Sequence, residues 1–224
     1  MIITEKKDRK KLLENIKDYN SFFLIGCSEC ASLCGTGGEP ELVEMKELLE
    51  SEGKKVTGTF VAKTGCQVLG TKVELKKNSK DEVEDADCIL VMSCGAGTQS
   101  AVDLFKDKAV YPTNDSLFLG NMTRMQIFDE RCSLCGECIL DQTGGICPVT
   151  ACPKGLLNGP CGGTNEGNCE VSPDIECAWT RIYNRLKAIN RLDDMKKLSK
   201  PKNWSAHKKP MTLNVREKKE EGKK

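Results

Sequence analysis

The chain has 224 residues, with 34 Lys and Arg against 33 Asp and Glu, and only 5% aromatic content. That length suits one to two domains, and so few aromatic residues exclude a single large core. Balanced charge leaves no nucleic-acid footprint, and no apolar run approaches the roughly 18 residues of a membrane span. The N-terminus "MIITEKKDRKKLLENIKDYN" is charged throughout and lacks the apolar stretch of a signal peptide, so the expected compartment is the cytoplasm.

In chain order, Thr4 to Tyr19 carries Leu12, Leu13, Ile16 and Tyr19 at helical spacing, which predicts a first helix. "SFFLIGC" (21–27) is a short apolar run that reads as a buried strand. A glycine loop and a helix from about Pro40 to Ser51 follow, closing near Gly53. "VTGTFVA" (56–62) predicts a second strand, "QVLGTKVELKK" a helix, "DCILVMSC" (87–94) a third buried strand, "TQSAVDLFKDK" a helix and "AVYPTN" a fourth strand. This alternation predicts an α/β fold over 1–124, a Rossmann-like parallel sheet with right-handed crossovers.

The pattern breaks around Leu117 to Arg124. Residues 125–198 form the expected second domain, Cys-rich, irregular and ferredoxin-like. With little apolar periodicity, it needs bound metal in place of a core. It closes on a predicted amphipathic helix from Ala178 to Leu198, with Ile182, Leu186, Ile189, Leu192, Met195 and Leu198 on one face. Residues 199–224 read as a charged tail ending in "REKKEEGKK".

Fourteen cysteines need explaining. In a reducing compartment stable disulfides are rare, and clustered thiols point to metal or iron–sulfur ligation. The single histidine, His207, lies in the polar tail, which leaves mixed Cys/His zinc sites and histidine acid–base catalysis without support. In the first domain Cys27 closes one strand, Cys30 and Cys34 sit in the loop after it, Cys66 follows the second strand, and Cys94 closes the third. In a parallel sheet these carboxyl ends share one edge, where ligands bind. Cys30, Cys34, Cys66 and Cys94 are the expected four ligands, with Cys27 as substitute, for a third [4Fe–4S] cluster or a zinc ion. Cys88 begins its strand, at the opposite edge, and reads as a core residue. The loops "CGTGG" and "SCGAGTQ" could offer amides to sulfides or an anion. Neither matches a dinucleotide or phosphate-loop pattern.

The stretch "CSLCGECILDQTGGICPVTACPKGLLNGPCGG" carries the most specific chemistry. Cys132, Cys135 and Cys138 form C-x2-C-x2-C, the three-ligand run of ferredoxin-type [4Fe–4S] binding. Two cysteines here, Cys147 and Cys152, precede proline. With Cys161, Cys169 and Cys177 the half holds eight thiols, the number two clusters require. By the crossing logic of two-cluster ferredoxins, the expected sets are Cys132, Cys135, Cys138 and Cys177, and Cys147, Cys152, Cys161 and Cys169.

The same run closely resembles the C-terminal cysteine-rich domain associated with methylenetetrahydrofolate reductase in anaerobic bacteria and archaea, and "PKNWS" (201–205) resembles it too. "GCSECASLCGTGG" is similar more loosely. The resemblance implies a small electron-transfer subunit of one-carbon metabolism (the Wood–Ljungdahl pathway). It would sit beside a catalytic TIM-barrel subunit that holds the flavin (FMN or FAD) and the folate, and would relay electrons from ferredoxin or a heterodisulfide-reductase-like module. It also implies that this chain's own metal content can include zinc. Two readings compete with the relay. One is a structural zinc-binding accessory subunit without a redox role. The other is catalysis in the first domain through an open iron site or a reactive thiol such as Cys27.

Overall fold

A computed structural model describes residues 1–207 and 209–215. The predicted charged run at 216–224 lies outside the described residues. The chain divides into two compact units, Met1–Glu130 and Arg131–Lys224.

The first unit begins with strand β1 (Ile2–Lys6) and helix α1 (Arg9–Asn15). β2 (Ser21–Cys27), the one-turn α2 (Cys30–Leu33), α3 (Glu39–Ser51), β3 (Lys55–Ala62), α4 (Val68–Asn78) and α5 (Lys80–Glu84) follow. β4 (Cys88–Met92), α6 (Gly95–Leu104), β5 (Ala109–Pro112), β6 (Asn114–Arg124) and β7 (Ile127–Cys132) complete the series. β2 to β5 form a four-stranded parallel sheet in the order β3-β2-β4-β5. Its central strands, β2 and β4, are buried almost throughout, because apolar runs such as "FFLI" and "CILVM" meet helices on both faces. On one face Phe22, Leu24, Leu90 and Met92 pack with Leu12, Ile16, Leu42 and Leu49, and on the other Phe23, Ile25, Ile89 and Val91 pack with Leu75 and Ala101. Cys88 is fully buried in the first of these cores, as expected, and burial pushes its thiol up to about 12.

Two features depart from the sequence expectation. The helix predicted from Thr4 starts only at Arg9, where the Asp8 carboxylate caps it by accepting from the Lys11 amide at 2.9 Å. Ile2–Lys6 is instead a strand, paired antiparallel with β6 more than a hundred residues away. The segment where periodicity breaks is β6 itself, in a separate sheet of order β1-β6-β7. Gln126, with φ 59°, lies between β6 and β7.

Backbone proximity explains the first glycine loop better than ligand binding does. Gly37 carbonyl accepts from the Cys27 amide at 2.8 Å, and a Cβ on Gly37 would overlap the Met92 carbonyl. The loop is therefore clamped between the ends of β2 and β4. Gly37→Ala is expected to cost about 1–3 kcal/mol, the usual range for forced overpacking, read as a lower denaturation midpoint of the first unit.

In the second unit a one-turn helix α7 (Pro148–Ala151) precedes three short strands, β8 (Thr164–Asn165), β9 (Asn168–Cys169) and β10 (Ser172–Glu176), and helix α8 (Ala178–Ala188). The strands form an antiparallel sheet in the order β10-β9-β8. α8 is shorter than the predicted 178–198 helix. Asn190 takes φ 55°, which ends the helical run, and Leu192–Lys196 continues as a 3-10 turn. The predicted stripe holds over the first turns, where Trp179, Ile182 and Leu186 form the unit's buried cluster, with Ile189 and Met195 packed against it. Leu198 is left 84% exposed.

Candidate metal centres

All fourteen cysteines are free thiols, so no disulfide competes for them. In the first unit the parallel register sets Cys27 of β2 opposite Ala62 of β3 and Gly26 opposite Met92 of β4. Cys66 follows β3 by a few residues, and Cys94 caps α6 just beyond β4. The thiols of both loops thus stand at the carboxyl edge of the sheet. Burial pushes the Cys66 thiol up, and neighbouring Cys94, Cys27 and Cys30 push it further. Cys27, Cys30, Cys66 and Cys94 therefore share one neighbourhood. Cys34, which the spacing put ahead of Cys27, caps the C-terminal end of α2 and is not among the sulfurs acting most strongly on Cys66. Two backbone amides reach these sulfurs, Gly65 to Cys27 and Ile2 to Cys30, each at 3.4 Å.

The glycine-loop amides go elsewhere. Gly38 N–H donates to Glu41 at 2.8 Å and Gly95 N–H to the Ser116 hydroxyl at 2.8 Å, so both are occupied within the fold. A residue that periodicity did not reveal holds the rim together. Asn114 is buried, and its Nδ2 donates to the carbonyls of Thr36 at 3.1 Å and Ser93 at 3.4 Å. One amide thereby joins the loop carrying Cys34 to the strand end carrying Cys94. Asn114→Ala leaves those buried carbonyls without this donor and is expected to cost about 1–3 kcal/mol. The check is chemical denaturation of the full chain alongside its metal retention.

In the second unit a cavity of about 80 Å³ is lined by Cys132, Cys135, Cys138 and Cys147, closed by apolar Ile139, Leu140 and Val149 and by Lys202. Leu134 (φ 55°) and Gly136 (φ 78°) let "CSLCGEC" curl tightly enough to face its thiols inward. The Leu134 amide donates to Cys132 sulfur at 3.3 Å. The fourth thiol on this cavity is Cys147, brought in by the turn before α7, and not Cys177.

Cys177 lies with the other group. It caps α8, where burial raises its thiol but the hydroxyl and amide of Thr180, the Trp179 amide and the Thr164 hydroxyl together hold it below its ordinary value. Thr164 pairs across β8 and β9 with Cys169. Cys152 and Cys177 each pack against the Trp179 cluster. Cys161 sulfur accepts from Gly163 N–H at 3.4 Å and stands 3.7 Å from Lys154 Nζ. Gly163 carbonyl in turn accepts from the Glu170 amide, next to Cys169. Cys161, Cys169 and Cys177 thus lie along the small sheet and the start of α8, with Cys152 against the Trp179 cluster that α8 carries.

Among the described residues, no three cysteine, histidine, aspartate or glutamate side chains converge tightly enough to hold a single metal ion. The donor set fits a sulfur-rich centre all the same: soft thiols, no histidine, amides aimed at sulfur, and a pocket lined by four cysteines.

Residues 111–205 match the family model for the methylene-tetrahydrofolate reductase C terminal. Over those residues the chain is similar to that family's domain. No curated protein and no solved structure matches the chain. The methylene-tetrahydrofolate reductase C-terminal match takes in all eight cysteines from Cys132 to Cys177, together with Asn114 and Lys202. The thiols from Cys27 to Cys94 lie outside the matched residues. Among the described residues no helix is long and apolar enough to cross a membrane.

Proposed function

We propose that this chain is the iron–sulfur subunit of a methylene-tetrahydrofolate reductase, passing electrons between an outside donor and a flavin on a catalytic partner. The observation that carries the reading is the four-thiol cavity of Cys132, Cys135, Cys138 and Cys147 inside the segment matched to that family. A tetrahedral zinc bound at about 2.3 Å draws its sulfurs to about 3.8 Å from one another. Thiols set around an open volume, with a C-x2-C-x2-C loop among them, suit a [4Fe–4S] cubane better.

Cys152, Cys161, Cys169 and Cys177 are the proposed ligands of a second cluster. When bound, such clusters supply one-electron carriers at potentials set by hydrogen bonds to sulfur, charge and exposure. The protein's own part is to hold the thiolates and aim amides at them. Leu134 and Gly163 amides do this at Cys132 and Cys161, and the start of α8 does it at Cys177. In the first unit Cys27, Cys30, Cys66 and Cys94, with Cys34 nearby in sequence, are the proposed ligands of a third centre, either a cluster or a zinc ion held by four thiolates.

The partner reading is supported by the match to a segment named for the reductase's C terminus and by the resemblance noted in the sequence. The catalytic flavin and folate sites are proposed to lie on a separate subunit. The proposed donor is ferredoxin or a heterodisulfide-reductase-like module in the cytoplasm. The full chain, purified without oxygen and mixed with a flavin-containing methylene-tetrahydrofolate reductase subunit, is expected to co-elute with it and to reduce its flavin when given reduced ferredoxin. Separate elution, or flavin reduction that proceeds equally without this chain, would count against the assignment.

A further inference from the structure

Residues 201–207, the start of the segment read from sequence as a charged tail, fold back over the first cysteine cavity. Asn203 N–H donates to the Glu137 carboxylate at 2.8 Å. The backbone of Ala206 packs so closely on Gly136 that a Cβ there would meet its carbonyl oxygen at 2.9 Å. Asn203 Oδ1 accepts from the Ser205 amide and hydroxyl at 3.1 and 2.6 Å, which fixes the turn at Trp204–Ala206. The strap thus rests on the Gly136–Glu137 corner of "CSLCGEC". Its position places Lys202 on the cavity wall, where Nζ donates to the Glu137 carbonyl, the same oxygen that the Cys135 thiol faces at 3.6 Å. Cys135 is the most buried of the four thiols on the cavity.

We propose that Lys202, held by the Pro201–His207 strap, is a positioning residue that sets the potential of the centre bound by Cys132, Cys135, Cys138 and Cys147. This rests on the cluster reading of that cavity. Reduction adds one electron to the site without adding a proton. A fixed ammonium beside a ligating sulfur favours the more negative state and so raises the midpoint potential. The effect is strengthened at Cys135 itself, which is only 8% exposed and so less screened by solvent than a surface thiol. The second thiol group provides an internal reference. Its own lysine, Lys154, is neutralised by an ion pair with Glu170 and is untouched by changes at Lys202.

The test is a redox titration of the full holo chain followed by electron paramagnetic resonance, for wild type, Lys202→Met and Lys202→Arg, each with iron quantified. The expected result is unchanged iron in all three. The first centre's midpoint should move to more negative potential in Lys202→Met, return toward wild type in Lys202→Arg, and leave the second centre fixed. An unchanged midpoint in Lys202→Met, or loss of iron from it, would overturn the tuning role and leave the lysine a structural prop. Asn203→Pro, which removes the amide that Glu137 holds, is expected to lower the same midpoint by releasing the strap. A wild-type chain with no cluster signal that depends on Cys132 would overturn the cluster reading itself, which is a separable failure.

Discussion

A chain carrying both Cys132→Ala and Cys147→Ala is expected to lose no more iron than either single variant, about four atoms. Combining Cys132→Ala with Cys177→Ala is expected to remove about eight. The argument is one of shared sites. Cys132 and Cys147 line one cavity, so the second change falls on a centre already lost. Cys177 belongs to the group around β8, β9 and the start of α8, so its loss is independent. Effects at separate sites add, and effects within one site do not. The opposite pattern, with Cys132 and Cys177 non-additive, would restore the crossed pairing that ferredoxin spacing suggests and would refute the grouping seen in the fold.

The second large effect is structural. Stripping metal from the anaerobic full chain is expected to unfold the second unit while the first keeps its structure. The first unit has two apolar clusters, one on each face of a parallel sheet. Among its described residues the second has one, whose buried members are Trp179, Ile182 and Leu186. So small a cluster does little to offset the entropy of ordering the long loops around it, and on the proposed cluster reading ligation supplies the difference. Trp179 is 7% exposed and Trp204 58%. Metal removal should therefore shift Trp179 emission toward that of solvated indole and open 131–207 to protease, with fragments of the first unit surviving. A second unit that stays protected without metal would show that its core suffices.

Much of this was legible in local sequence, and the exceptions share a cause. The four parallel strands, their helices and the placing of Cys27, Cys66 and Cys94 at one sheet edge follow from short apolar runs punctuated by glycine. β1 was hidden because Ile2–Lys6 is defined by its pairing with Asn114–Leu119 rather than by its own pattern. The thiol grouping was hidden for the same reason. Cys147 and Cys177 are both separated from "CSLCGEC", and only the turn before α7 and the start of α8 decide which one faces it. Asn114 and Lys202 are single polar residues whose importance lies in what they reach, namely Thr36 and Ser93 carbonyls in one case and Glu137 in the other. Nothing in their flanking residues announces that.

Quantifying iron, acid-labile sulfide and zinc on the anaerobically purified full chain, with electron paramagnetic resonance of the reduced protein, tests the central claim most directly. Two cubane centres in the second unit predict at least about eight irons with matching sulfide and two interacting cluster signals, rising to about twelve irons if the first unit also holds a cluster. A colourless chain with stoichiometric zinc and no labile sulfide would contradict the electron-relay account.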